Sequence, residues 1–397
     1  MGNKVIPRIR FHEFDNIWTK SKLGEIYEVY SGNTPSRSDS RNYQNGEIPW
    51  IKTTDLNNSI IYFNEEKISV YGATKLKFLP EKSVLIAMYG GFNQIGRTGL
   101  LAYPATINQA LAALMPVNEI NPNFLLNFLN FKKESWRNVA ASSRKDPNIT
   151  KNDVEKFIIS FPSLEEQSTI GSLFRTLDDL LSNYKENLAN YQSLKATMLS
   201  KMFPKAGQTV PEIRLYGFEG EWEEKEFIKI VNRVTESSDS DSLPKVEFED
   251  IISGQGKLNK DISSKFDNRK GILFKPGYTL YGKLRPYLNN WLLPKFEGVA
   301  LGDFWVFDPN GNNSDFIYYL VQSSRYQKVA NDTSGTKMPR SDWKSVSTTI
   351  FAIPQTIAEQ QAIGAYFSNL DNLINSHQEK ISQLETLKKK LLQDMFI

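Results

Sequence analysis

A chain of 397 residues with 40% hydrophobic and 12% aromatic content is long for one core and predicts two domains or more. The absence of cysteine excludes disulfides, thiolate zinc sites and cysteine nucleophiles together, and with only His12 and His377 no histidine-based metal site or triad is expected. A net charge of +3 permits a nucleic-acid partner without arguing for one, and no apolar run approaches the ~20 residues that a bilayer crossing needs, so a cytoplasmic protein without membrane contact is expected.

In chain order, IPRIRFHEFDNIW (residues 6–18) opens a first globular block. GEIPWIKTTDL (46–56) and KSVLIAMYGG (82–91) read as strands closed by glycine turns. GFNQIGRT (91–98) is one residue from a phosphate-binding P-loop, but Arg97 stands where that loop needs lysine. The turn is read instead as offering Asn93, Gln94 and Arg97 to base edges, with a plain surface hairpin as the alternative. Residues 96–116 carry further strand and short helical character, and NPNFLLNFLNF (121–131) starts a helix through Phe124, Leu125, Phe128 and Leu129. The polar loop that follows, with Arg144 and Lys145, leads to a closing strand.

Residues 163–203 read as one long helix, opened by the capping box of Ser163 and Glu166. Its apolar positions Ile170, Leu173, Leu177, Leu180, Tyr184, Leu188, Tyr191, Leu194, Met198 and Met202 step by threes and fours, the period of a narrow seam. At 1.5 Å per residue such a helix rises roughly 60 Å, and it must lean on something along that length.

The chain then repeats itself. In VPEIRLYGFEGEW (210–222), Pro211, Ile213, Arg214, Phe218 and Trp222 restate Pro7, Ile9, Arg10, Phe14 and Trp18 at an offset of 204. Residues 356–396 restate the long helix at an offset of 193, with Thr356 and Glu359 as its capping box and His377 as a polar notch in the seam that would set register. Between them, residues 276–309 supply strands and turns and SDFIYYLVQSSRYQKVA (314–330) supplies the helix. Lys283, Arg285, Tyr287, Asn289 and Asn290 mix basic, aromatic and amide groups suited to phosphates and bases, and Lys337 and Arg340 occupy the loop that matches Arg144 and Lys145. A solvated loop is the competing reading for each.

Duplication of a block followed by a helix predicts an α+β protein. Two globular domains of mixed sheet and helices, at 1–162 and 204–351, would be separated by two long antiparallel coiled-coil-like helices at 163–203 and 352–397. The arrangement would be circular and pseudo-two-fold, with the chain's two ends close together.

The P-x-L-x-E-Q element (Pro162, Leu164, Glu166, Gln167), its second copy ending in Glu359 and Gln360, and the twin helices resemble the specificity subunit of type I restriction–modification enzymes. GEIPWIKTTDL, INQALAALMP (107–116) and LYGKLRPYL (280–288) look like common elements of that family's target-recognition domains, and the resemblance covers essentially the whole chain. It implies a non-catalytic subunit whose domains each read half of a split, asymmetric site in double-stranded DNA, the helices fixing the unread gap. It also implies two adenine-methyltransferase subunits docked on the helices and restriction subunits joining that core. Glu166, Gln167, Ile170, Leu177 and Leu181, with Glu359, Gln360, Ile363, Leu370 and Ile374, would serve helix pairing and subunit docking. No cofactor is expected on this chain, with S-adenosylmethionine, ATP and Mg²⁺ carried by the partners. Accordingly, neither an N/D-P-P-Y/F tetrapeptide nor a glycine fingerprint for S-adenosylmethionine occurs, and no nuclease carboxylate cluster is found. The rival readings are a coiled-coil scaffold with protein-binding end domains and an enzyme built on the degenerate P-loop.

Overall fold

The computed structural model describes residues 7–91, 93–140, 148–263, 268–332 and 338–397. It divides into two compact units, Met1–Lys185 with Glu379–Ile397, and Glu186–Gln378. The division passes through both long helices, so Leu164–Lys201 and Ile357–Met395 each give one half to each unit.

In the first unit a five-stranded sheet runs in the order Val29–Ser31, Leu111–Leu114, Val84–Ala87, Thr98–Leu101, Ser59–Ile61, antiparallel except for the last pair. Its side chains alternate between two cores. Val84, Ile86, Ala112 and Leu114 enter the cluster beneath the helices, whereas Leu85, Ala87, Leu111 and Ala113 enter a second cluster on the opposite face. This explains why residues 96–116 hold three strands and none of the expected helical turns. Leu111–Leu114 is buried on both faces, and apolar cover on both sides favours a central strand over a half-exposed helix. A three-stranded sheet of Lys67–Ile68, Ile48–Ile51 and Thr106–Ile107 lies alongside.

The second unit restates the plan. Asn232–Arg233, Phe304–Asp308, Thr279–Gly282 and Trp291–Leu292 take the places of the first four strands, and a second four-stranded sheet accompanies them. In each unit a short antiparallel pair ties the start of the block to the strand before the long helix: Thr19–Lys22 with Ile158–Phe161, and Glu223–Glu226 with Ile350–Ile353.

Helix Pro122–Phe131 starts where Asn121 Oδ1 accepts from the amides of Asn123 and Phe124. The helix expected over 314–330 is two, Ser314–Leu320 and Ser324–Ala330, because Ser323 caps a new start by accepting from the Tyr326 amide. A further short helix precedes the closing strand in each unit, Lys151–Lys156 and Trp343–Thr348, the first of them inside what the sequence suggested was polar loop.

The long helices meet their blocks in the same way twice. Gln167 Oε1 accepts from the Asn121 amide at 2.9 Å, as Gln360 Oε1 does from that of Asn313 at 2.9 Å. One turn on, a glycine lets the crossing helix come close. A Cβ on Gly171 would lie 3.0 Å from Asn121 Oδ1, and one on Gly364 2.7 Å from Asp315 Cβ. Phe396 packs among Trp18, Phe124, Phe131 and Phe174 in the first unit, and Phe203 among Phe316 and Phe367 in the second. The Ile9 amide donates to the Asp394 carbonyl at 2.9 Å, so the start of the first block is sewn to the end of the last helix.

The seam differs in register from the reading above. Leu180, Leu194, Leu373 and Leu387 are exposed, while Phe174, Leu181, Phe367 and Ile374 are buried. The buried line steps regularly by four and three from Ile170 through Phe174, Leu177 and Leu181, the rhythm that keeps one stripe facing a partner. Polar groups enter it at Lys195 and Lys388, and His377, the notch expected from the sequence, stands edge-on to Tyr191.

Candidate nucleic-acid interface

Two loops come together at one end of the main sheet in each unit. In the first unit the turn between Val84–Ala87 and Thr98–Leu101 is tied to the segment before Lys151–Lys156 by the Ile149 amide, which donates to the Met88 carbonyl at 3.0 Å. In the second, the turn between Thr279–Gly282 and Trp291–Leu292 is tied to the segment before Trp343–Thr348. There the Arg285 amide donates to the Pro339 carbonyl at 2.7 Å, the Ser341 amide to the Lys283 carbonyl at 2.8 Å, and Leu284 bridges Arg340. The structure thus joins Lys283, Arg285 and Tyr287 with Arg340, which the sequence left in separate loops. Arg144, Lys145 and Lys337 lie outside the described residues.

The first turn cannot act as a P-loop. A P-loop leads from strand into helix and aims free amides at phosphate, whereas this one leads directly into the strand Thr98–Leu101. The amides of Gln94 and Ile95 donate to the Gly91 carbonyl, Gly96 to Ala87, and Arg97 to Gln94. Of the three side chains singled out here, Asn93 is exposed. Arg97 is half-buried and braced by Nε donating to the Asn93 carbonyl at 3.1 Å. Gln94 is half-buried with its Oε1 enclosed, which turns its acceptor away from any ligand.

In the second turn, Arg285 and Asn289 hold left-handed backbone (φ 47° and 54°) on either side of the short 3₁₀ turn Pro286–Leu288. That conformation is strained for residues with a Cβ and is a mark of functional loops. It leaves Arg285 exposed and Tyr287 58% exposed. Asp303 takes the neighbouring cations: Arg340 Nη2 donates to its Oδ2 at 2.9 Å, and Lys283 Nζ stands 3.8 Å from Oδ1. The ion pair holds the Arg340 guanidinium pKa above its ordinary value. Arg285 makes no ion pair among the described residues, so its guanidinium is the uncompensated one at the tip. Asn290 belongs elsewhere. It is 5% exposed and donates to the Phe248 carbonyl at 3.2 Å, so its role is to hold the turn from inside.

Sequence reasoning missed three residues beside these loops. Asp303 gave no signal, being one acid among strands. Lys133 and Arg137 lie on helix Lys133–Ala140, whose Trp136 packs against Gly96 beside Arg97. Burial chiefly, then the two arginines, lower the Lys133 pKa. The run KKESWR was the available signal.

The Glu–Gln pairs are engaged within the chain. Glu166 is 1% exposed and accepts from Arg10 Nε and Nη2 at 2.7 Å each. Glu359 accepts likewise from Arg214 at 2.7 and 2.8 Å, and from Trp222 Nε1 at 3.1 Å. Both capping boxes are therefore half-formed: the Ser163 and Thr356 hydroxyls accept from the glutamate amides, and the carboxylates go to the arginines. Gln167 and Gln360 are buried against their own blocks, and Ile170, Leu177, Leu181, Ile363, Leu370 and Ile374 are buried within their units. All ten side chains are buried, which suits holding block to helix and helix to helix.

Comparison with known proteins gives a consistent picture. The family model described as type I restriction modification DNA specificity domain matches residues 16–191 and again residues 225–386. The EcoR124I/EcoR124II specificity subunit of Escherichia coli is 26% identical over 189 residues, which is 45% of this chain and 45% of that protein. The MjaIX specificity subunit of Methanocaldococcus jannaschii is 23% identical over 94% of this chain and 91% of its own. In fold, the S subunit of a type I restriction-modification system from M. genitalium aligns over 99% of both chains with a TM-score of 0.63 at 15% identity. A chain solved in work on complex assembly and conformational transition of the type I R-M system aligns over 96% of this chain and 97% of its own, with a TM-score of 0.54 at 15% identity.

Proposed function

This chain belongs to the type I restriction–modification DNA specificity family, and from that premise we propose that its two units are separate reading heads for the halves of one split DNA site. As a specificity subunit it is non-catalytic and assembles within the type I restriction–modification complex. The observation that carries the two-headed reading is the paired turn and loop at the same place in each unit, on matching sheets but with unlike residues. A shared frame with different tips suits two recognition tasks of one kind.

In the second head, Arg285 suits bidentate pairing with guanine, and Tyr287 and Arg340 suit flanking backbone. In the first, Asn93 suits adenine and Arg97 suits guanine or phosphate. The long helices, each shared by both units, set the unread gap. Two methyltransferase subunits would bring S-adenosylmethionine and flip the target adenines, and restriction subunits would bring ATP and Mg²⁺. Among the described residues no helix is long and apolar enough to cross a membrane.

Base-resolution methylation mapping of cells carrying the complex tests the proposal. Exchange of the first block for that of a relative should change one half-site and leave the other and the gap intact. Change in both halves, or in neither, would sink it.

A further inference from the structure

A cleft lies beside the long-helix pair in each unit, about 600 Å³ in the first and about 210 Å³ in the second. Eight helix positions line each one, and they are the same eight places of the repeat, offset by 193. Duplication therefore supplies an internal comparison of one site carrying two chemistries. An ion pair is common to both: Lys388 with Asp178 in the first unit and Lys195 with Asp371 in the second.

The other positions diverge in charge. Lys185, Lys389 and Glu385 of the first cleft stand where the second has Gln378, Ala196 and Gln192. The first cleft also draws Lys133 from the block. Lys388 and Lys185 are matched by Asp178 and Glu385, which leaves Lys133 and Lys389 without ion-pair partners among the described residues. The facing wall is polar, formed by Asn57, Asn58, Ser59 and Asn130, with Asn130 Nδ2 donating to the Asn58 carbonyl at 2.9 Å and the Ser59 hydroxyl to Asn57 Oδ1 at 2.6 Å. In the second cleft the single cation and single anion cancel, and the block side carries Trp291 where the first has Lys133.

Two unbalanced lysines beside a polar wall fit an oxyanion rather than an apolar segment. Helix Lys133–Ala140 connects this cleft to the candidate reading turn: Lys133 lines the cleft, and Trp136 packs against the turn's Gly96, where a Cβ would lie 2.6 Å from its ring. A ligand lying on that turn therefore has a basic path toward the helix pair.

We propose that the first unit's cleft binds backbone phosphates of the DNA next to the half-site, through Lys133 and Lys389, and that the second unit's cleft does not. The grip outside the reading turns is then one-sided and indifferent to sequence. This rests on the reading of the turns as DNA-recognition loops.

The test uses the chain assembled with its methyltransferase subunits and a fluorescent duplex carrying the methylation-mapped site, beside a scrambled duplex, from about 50 to about 300 mM salt. The double variant Lys133→Gln, Lys389→Gln should bind both duplexes more weakly by the same factor. Its log–log salt slope should flatten by about 2, near 0.9 for each phosphate no longer neutralised, with the methylated sequence unchanged. The reciprocal variant Ala196→Lys, Gln378→Lys should steepen the slope. An unchanged slope in a complex that still prefers its site overturns the phosphate cleft alone. Failure of the wild-type complex to prefer its site overturns the reading of the turns and this inference with it. Loss of methyltransferase from the double variant in size-exclusion chromatography overturns it in favour of a protein-docking groove.

Discussion

Lys195 Nζ donates to Asp371 Oδ1 at 2.6 Å across the long-helix pair, and the Tyr319 hydroxyl donates to the other oxygen of the same carboxylate at 2.9 Å. The repeat makes the equivalent ion pair between Lys388 and Asp178 in the first unit. Residue numbers rise on one helix as they fall on the other, from Asp178–Lys388 to Lys185–Glu385 and from Tyr191–His377 to Lys195–Asp371, so the helix halves in each unit run antiparallel. A lysine in an apolar seam tolerates few registers, because its charge must meet its acid.

Asp371→Asn should therefore lose about 2 kcal/mol, less than for a fully buried pair, because the two side chains keep some solvent. Chemical denaturation measures the loss, and a double-mutant cycle with Lys195→Met should show coupling. Additive losses would mean that the pair does not set register.

Removal of the aromatic plug should weaken each unit similarly. Phe396→Ala and Phe203→Ala each vacate a buried site among rings, and a loss of about 3–5 kcal/mol is expected for either. Proteolysis followed by mass spectrometry should place new cuts in the first unit for Phe396→Ala and in the second for Phe203→Ala. Cuts spread over both units would deny them separate cores.

The helix glycines test the close crossing. Gly364→Ala puts a methyl 2.7 Å from Asp315 Cβ, and Gly171→Ala puts one 3.0 Å from Asn121 Oδ1. Both should lower the melting temperature, by about 1–3 kcal/mol of overpacking, with Gly364→Ala the worse. A rise in melting temperature, as expected for an unobstructed glycine-to-alanine change in a helix, would contradict the crossing.

Asp342 caps helix Trp343–Thr348 by accepting from the Ser345 amide at 2.8 Å and hydroxyl at 2.7 Å, directly behind the Arg340 loop. The Ser345 bonds hold its pKa below the ordinary carboxylate value. A depressed acid stabilises the fold at pH above its unfolded pKa, and that contribution disappears as pH falls through the folded pKa. Asp342→Ala should cost about 1 kcal/mol near neutrality, and its stability should converge with wild type in strong acid. A difference that persists there would assign the loss to packing.

At the tip of the second head, Arg285→Ala should relax or abolish one base position in a single half-site, by about 1–3 kcal/mol of discrimination. Arg340→Ala should weaken binding with less effect on the base read, since Asp303 already holds that guanidinium. Methylation sequencing of both variants decides between them. Relaxation in both half-sites at once would contradict separate reading heads.

Much of this architecture was legible in the residues. The offsets of 204 and 193 announced a duplicated block and helix, and Arg10 with Arg214, Trp18 with Trp222 and Glu166 with Glu359 were visible as matched landmarks. Their partnership was not, because arginine and glutamate meet across 156 residues in one unit and 145 in the other. Local capping chemistry predicted that each glutamate would close its own helix box. The folded chain brought a guanidinium to the same carboxylate, and the charged bond prevailed over the local one.

The sequence by itself determined the period, the repeat and the residue types available at each turn, since these depend on spacing along the chain. It misplaced the seam by one position at Leu180 and Leu194, because leucines beside a heptad stripe have the same period as those within it. Tertiary structure alone decided that Asn290 turns inward and Arg285 outward, that Asp303 occupies Arg340, and that Lys133 and Lys389 line one cleft. Those outcomes depend on which distant backbone passes nearby, and that is set only when the sheets and helices close around their cores.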